Sequence, residues 1–401
     1  MQIKLFDVVA VIITLCLSGL VAAPASITSI SNLKLDKRNN LTPLGLGSYS
    51  TSIASVSTKE PIVAPTDLVD DMFDTLINLY WDETQANFND NCGGSYSEPV
   101  IWNVAVAGLA ASRKGNETVN RKVYEALQKY KNHDLGGYSA TTAGNNDIYE
   151  DDDSQVSWVF INNYKVDEEE DYIDSAVKLI NFISDQKGPN GGIEFSYQGN
   201  YIASISTLEA ALAAVRLNEE KSNSTLISFA VEQLDWIFDH LLDSNDHLIY
   251  DGCDKKGNVN NGKLTYTIGV AISTMAILVK HGNTKRDWQA IATEFGVRTF
   301  GAGNSNSLYY TNGHLNNGVQ YTHDLFNGIT DLLELTIPLS NYQRQAYDMF
   351  KAELVREARH YYDVNTVDIT SGNCGSNITN LLDLGSYIQI FEAVGRITDK
   401  I

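Results

Sequence analysis

Proline is scarce in this chain, with seven residues in 401, and cysteine and methionine contribute only four each. Together with 29 glycines and a 43% hydrophobic, 20% charged make-up, this excludes collagen-like, coiled-coil and largely disordered chains. Positive charge is also short: 29 basic residues face 50 acidic ones, a net charge of −21. Such a surface repels phosphate backbones and anionic lipid, which argues against nucleic-acid and membrane-surface binding. A neutral or cationic partner is expected instead. Several catalytic signatures are missing too. The seven histidines form no HExxH or paired spacing, and there is no GxSxG elbow or phosphate loop. The acidic run at 150–153 lacks the alternating ligands of a calcium loop. No metal and no cofactor are expected.

What is present begins with an address. Lys4 precedes an apolar stretch, Val8 to Ala23, that ends in small residues. It is shorter than the ~20 residues a membrane-spanning helix needs, so residues 1–23 read as a secretory signal peptide. Lys37-Arg38 resembles the dibasic processing site of secreted fungal precursors, making 24–38 a pro-segment and 39–65 an extended N-terminal segment. Glycosylation sequons start at Asn40, Asn116, Asn223 and Asn377. The C-terminus FEAVGRITDKI offers no lipid-anchor tail. Export leaves Cys92, Cys253 and Cys374, an odd number, so one disulfide and one unpaired thiol are expected without indication of the pair. The expected product is secreted, carries no transmembrane segment and is monomeric.

Beyond residue 65 apolar residues recur at helical spacing, as in Leu208, Ala211, Leu212 and Val215. The pattern predicts helices near 67–81, 98–113, 117–132, 151–165, 170–187, 204–219, 223–243, 264–281, 287–299, 321–336, 341–362 and 381–397. Six Gly-rich, aromatic loops recur before every second helix, roughly 50 to 60 residues apart, the mark of a repeated supersecondary unit. The second helices are the more apolar (VAVAGLAA, TLEAALAAV, TIGVAISTMAIL) and belong inside. No polar capping repeats of an open solenoid are present. Residues 66–401 are thus expected to form one all-α (α/α)6 barrel, six hairpins closed into a ring with the six loops around one mouth.

The sharpest local feature is Tyr149-Glu150-Asp151-Asp152-Asp153-Ser154, directly before an inner helix. One or two acids there are explained by capping and the helix dipole; four in a row repel one another. Neighbouring carboxyls allow a glycosidase to keep one protonated and one ionised. The loops also supply aromatic faces for sugar rings and polar groups for hydroxyls, among them Trp102, Asn103, Tyr149, Tyr197, Asp251 and Asp324.

Five ordered stretches resemble the family 76 glycoside hydrolases, the α-1,6-mannanases of bacteria and the related fungal cell-wall proteins. They are WDETQANF…PVIWNVAVAGLAA (81–111), YEDDDSQVSWVFINNY (149–164), GGIEFSYQGNYIASISTLEAALAAVRL (191–217), LIYDGCDKKGNVNNGKLTYTIGVAISTMAIL (248–278) and YTHDLFNGITDLLE (321–334). The resemblance implies an (α/α)6 fold and retaining hydrolysis of α-1,6-linked mannose through two adjacent aspartates. Counting back from Tyr164 sets Asp151 on the nucleophile and Asp152 on the acid/base, with Asp152 and Asp153 as the alternative register. Tyr149, Asp153, Trp102, Asn103, Tyr197, Asp251, Tyr266 and Asp324 would then contact a mannose-containing glycan. The chain departs from the family at Gln155 and Val156, where aromatics usually follow the aspartates, and at Thr267-Ile268, where Asn and Gln are usual. Two readings follow: a secreted or cell-wall-associated mannosidase or transglycosidase, and a non-catalytic glycan-binding or wall-structural relative.

Overall fold

In the computed structural model, residues 63–301 and 308–401 are described. The expected signal peptide, the pro-segment, the Asn40 sequon and most of the 39–65 segment lie outside them. Among the described residues twelve α-helices follow one another: α1 Pro65–Thr75, α2 Ile101–Arg113, α3 Glu117–Gln128, α4 Glu150–Asp167, α5 Glu170–Ser184, α6 Ser204–Glu220, α7 Ser224–His240, α8 Thr265–Lys280, α9 Trp288–Phe300, α10 Val319–Leu333, α11 Asn341–Thr370 and α12 Leu381–Gly395. A π-helical turn, Leu76–Tyr80, extends α1.

The two helix sets differ as their sequences dictate. Outer helix α3 buries Val119, Asn120, Val123, Ala126 and Leu127, a single stripe at helical spacing. Inner helix α6 buries every residue from Ser204 to Asn218, and α8 every residue from Thr267 to Leu278. A helix apolar on all sides must be surrounded. The even-numbered helices are surrounded: α2, α4, α6, α8, α10 and α12 contact one another in that order, and α12 returns to α2. This is the closed all-α barrel that the repeat predicts.

Close approach at two places needs glycine. A Cβ on Gly269 of α8 would sit 2.2 Å from the Asp324 carbonyl oxygen of α10, and one on Gly328 would meet the Gly269 oxygen at 2.0 Å. At the closing seam, a Cβ on Gly385 of α12 would lie 2.8 Å from Ala107 Cα of α2. The Cys92–Cys374 disulfide crosses the same seam, joining residues 282 apart in sequence and resolving the pairing the sequence leaves open. Cys253 is the free, buried thiol.

All inner helices start at one end, where the loops are laced in ring order. The Ile101 N–H donates to Ala140 O (3.0 Å), Glu150 N–H to Phe195 O (3.1 Å), Ser204 N–H to Asp251 O (2.8 Å) and Leu381 N–H to Asp90 O (2.9 Å). The Thr265 N–H donates to Asn317 Oδ1 at 2.8 Å. Short antiparallel strands reinforce this rim: β1 Trp81–Asp82 with β2 Asn87–Phe88, β3 Tyr201–Ala203 with β4 Gly252–Asp254 and β5 Val259–Asn260, and β6 Tyr310–Thr311 with β7 His314–Leu315. At two or three residues each they are too short to show alternation in sequence. The predicted helix boundaries hold within a few residues except in α11, which runs to Thr370 through a non-helical Asn365 (φ −124°, ψ 16°).

Candidate active site

The mouth takes its chemistry from the first turns of the inner helices. Side chains cap outer helices α3, α7, α9 and α11 through Asn116, Asn223, Asp287 and Ser340. Inner helices α2, α4, α6, α8 and α10 have no side-chain cap. Apart from the first amides, which the neighbouring loops already accept, the positive dipole ends of these helices face the mouth and favour carboxylates and hydroxyl acceptors there.

At α4, Tyr149 is extended (φ −116°, ψ 130°) and the helix starts at Glu150. The four acids then diverge as the first turn rotates by ~100° per residue. Asp151 and Asp152 are half-buried, whereas Glu150 and Asp153 are fully buried. Asp153 turns to the loop before α4, where both its oxygens accept the Tyr138 N–H at 3.0 and 3.3 Å. Asp151 Oδ1 and both Glu150 oxygens are buried without a hydrogen-bond partner.

Burial is the main electrostatic cause, and the mutual charge of the cluster adds to it. It pushes Asp151 up to about 7, with Asp251 adding repulsion while the Asp151 and Asp152 N–H groups favour the ionised form. Asp152 is raised well above the usual carboxylate range by burial, then by Asp151, Asp153 and Asp147. Glu150 is pushed up to about 10 by burial, Asp153 and Asp151. Two adjacent carboxyls, Asp151 and Asp152, are thus both held above the usual carboxylate range, Asp151 near neutrality.

Around this pair, Trp102 of α2 stacks on Tyr321 of α10 (6.1 Å between centroids), and Tyr321 meets Tyr266 of α8 edge-on at 5.2 Å. Three inner helices thereby join in one aromatic surface. Asp251 accepts hydrogen bonds from Tyr201 Oη and, at 2.8 Å, from Asn260 Nδ2. The Tyr149 ring packs edge-on against Phe195 at 5.2 Å. Asn103 is committed to the rim, its amide donating to Asp90 Oδ1 at 2.6 Å. Tyr197 stacks on Phe182 of outer helix α5 at 6.3 Å, toward the outer layer and away from the aromatic surface. Asp324 lies inside the ring, 4% exposed, with Oδ2 unpartnered and Oδ1 3.6 Å from His323 Nε2.

Two further residues belong here that the sequence reading did not single out, Tyr321 and Glu209. Glu209 of α6 is fully buried, accepts the Gln155 amide at 3.0 Å, and has a strongly raised pKa from burial and the nearby Asp324 and Asp151. Its signal was a lone carboxylate in the otherwise apolar TLEAALAAV. Among the described residues no group of three or more His, Cys, Asp or Glu side chains is arranged to hold a metal ion, and no helix is long and apolar enough to cross a membrane.

The geometry has counterparts among known proteins. The α-1,6-mannanase GH76A of Salegentibacter sp. HEL1_6 superposes with a TM-score of 0.68 at 18% identity, covering 82% of this chain and 98% of that one. A variant of that mannanase with two consecutive aspartates replaced is inactive and is seen in complex with α-1,6-mannotetrose. Dfg5 of Chaetomium thermophilum, in complex with glucosamine, gives a TM-score of 0.59 at 13% identity over 83% of this chain and 89% of that one. In sequence, the Meiotically up-regulated gene 191 protein of Schizosaccharomyces pombe is 28% identical over 256 residues, 56% of this chain and 56% of its own length. At these identities the solved structures establish the barrel. The model of glycosyl hydrolase family 76 matches residues 67–391. The chain belongs to glycosyl hydrolase family 76.

Proposed function

We propose that the protein is a secreted glycoside hydrolase that cleaves or transfers α-1,6-linked mannose in cell-wall mannan or a related glycan. The observation that carries this reading is the adjacent pair at the start of α4: Asp151, half-buried and pushed to about 7, beside Asp152, also half-buried and raised well above the usual carboxylate range. A retaining glycosidase needs one ionised carboxylate and one protonated carboxyl, and two neighbouring raised carboxyls that oppose each other's ionisation suit that division of labour. Asp151 attacks the anomeric carbon while Asp152 gives its proton to the departing glycosidic oxygen. Asp152 then takes a proton from the incoming water or sugar hydroxyl, which releases the mannosyl group from Asp151. The bond from Asp153 to Tyr138 N–H favours the register of Asp151 and Asp152 over that of Asp152 and Asp153, because Asp153 is occupied in holding the loop.

The Trp102–Tyr321–Tyr266 surface offers apolar faces for pyranose rings, and Asp251 offers an acceptor for hydroxyls. A carboxylate-rich rim suits a neutral sugar or a cationic amino sugar, and the fungal neighbour holds glucosamine. Secretion is supported by the leader, by exposed sequon residues Asn116, Asn223 and Asn377, and by a disulfide suited to an oxidising compartment.

A glycan-binding role without turnover is favoured by one observation. Gln155 and Val156, where relatives carry aromatics, are buried beneath the pair, and Gln155 is spent on Glu209. The deciding experiment incubates the protein, Asp151→Asn and Asp152→Asn with α-1,6-mannan and follows new reducing ends. Turnover reduced by about 10²–10⁴-fold in each variant supports hydrolysis. Wild-type-like turnover in both rejects the assignment, and calorimetric binding with no product from the parent protein favours the binder.

A further inference from the structure

A cavity of about 380 Å³ opens at the end of the ring opposite the carboxylates, where the inner helices finish. Its size falls within the roughly 300–1,000 Å³ of small-molecule sites. Five of the chain's 29 basic residues line it, although the protein as a whole carries a charge of −21. Each acid in the lining already has its cation. Glu392 pairs with Arg113 (2.9 Å), Asp331 with Arg396 (2.7 Å) and Glu219 with Lys165 (3.4 Å). Arg216 and Lys280 are left over, with no ion pair among the described residues.

Arg216 is the unusual member. It is 9% exposed, lies over the Trp158 ring at 4.6 Å, and its Nη1 is buried with no hydrogen-bond partner. Cations in the last turn of a helix are favoured by the dipole, which accounts for Arg113, Lys165 and Lys280. Arg216 sits a turn before the end of α6, away from water, so the dipole does not explain it. A buried donor without an acceptor is costly, and the part of Arg216 that stays accessible faces the cavity.

We propose that this cavity is an anion site, separate from the carboxylate mouth, in which Arg216 and Lys280 bind a phosphate group, free or carried by a small sugar. Arg216 supplies a planar fork from the stacked position on Trp158, and Lys280 closes the site from the exposed side as a point charge. The site is independent of the mannosidase reading, and its failure leaves that reading intact.

The test titrates the full chain with inorganic phosphate and, separately, with a hexose phosphate, against sodium chloride of equal ionic strength, by calorimetry and thermal unfolding. One phosphate per chain with stabilisation beyond that of chloride is expected, with affinity falling about tenfold or more in Arg216→Met and in Lys280→Ala. Tighter binding of the hexose phosphate assigns the sugar-borne group, and equal binding the free ion. Lys280 is exposed, so its variant tests the site even where Arg216→Met fails to fold. Phosphate indistinguishable from chloride, or an undiminished response in Lys280→Ala, overturns the proposal.

Discussion

Inside the ring, the Gln155 amide donates to the Glu209 carboxyl across 3.0 Å, one helical turn below Asp151. The bond joins α4 to α6 under the aspartate pair. Breaking it from the Gln155 side leaves a fully buried acid without its donor, at a cost of about 1–3 kcal/mol. Gln155→Ala should therefore lower the urea midpoint, while Gln155→Ala combined with Glu209→Ala should recover part of the loss. Equal midpoints for parent and Gln155→Ala would show that the bond contributes nothing.

The pH profile follows from Asp151. A nucleophile must be ionised, so kcat/KM should rise through about pH 7. Asp251 repels the ionised form of Asp151. Asp251→Asn removes that repulsion and should move the acidic limb to lower pH. A limb that stays in place, or moves up, contradicts the electrostatic link.

Stability should depend on pH in the direction opposite to that of an ion-paired protein. Glu150 is pushed from 4.5 to about 10, so the folded chain holds a proton that the unfolded chain releases above pH 4.5. Its contribution is fully present below that value and declines as pH rises toward 10, by at most ~1.4 kcal/mol per pH unit for one proton. Denaturation midpoints at pH 5 and pH 8 should differ, higher at pH 5, and Glu150→Gln should shrink the difference. Parallel pH dependences for parent and variant would falsify this account.

Much of this architecture is legible in the chain, because an inner helix must be apolar on every side and an outer one on a single stripe. TLEAALAAV and TIGVAISTMAIL give themselves away in this manner. The last turns of α11 do not: Val364 and Val367 are 50% and 73% exposed while the polar Asn365 and Asp368 are buried beside Ile369, so no apolar stripe marks the helix beyond residue 362. At the site, the acidic run declares itself because four adjacent carboxyls are hard to explain otherwise. Glu209 stays hidden because its partner is 54 residues away and only folding brings them together. Tyr197 illustrates the converse, since composition cannot say which side of a rim loop a ring will face.

Packing at Gly269 gives a sharper mutational expectation. A methyl group there meets the Asp324 backbone at 2.2 Å, and backbone cannot swing aside as a side chain can. Gly269→Ala should destabilise by about 1–3 kcal/mol and displace Asp324 along with α10. Thermal unfolding and mannan turnover should both fall, and an unchanged melting temperature would show that the two helices separate freely.

Cys253 should resist alkylation in the native protein and react once unfolded, while Cys92 and Cys374 should require reduction first. Peptide mapping after alkylation under the three conditions reads this directly. Losing the bond is expected to cost roughly 2–5 kcal/mol.

The placement of that bond also governs how the molecule responds to a protease. A single cut at any peptide bond between Cys92 and Cys374 leaves two fragments still tied by sulfur. Such a nicked protein would migrate as one species until a reductant is added, and the interlocked hairpins could hold their shape after the backbone is severed.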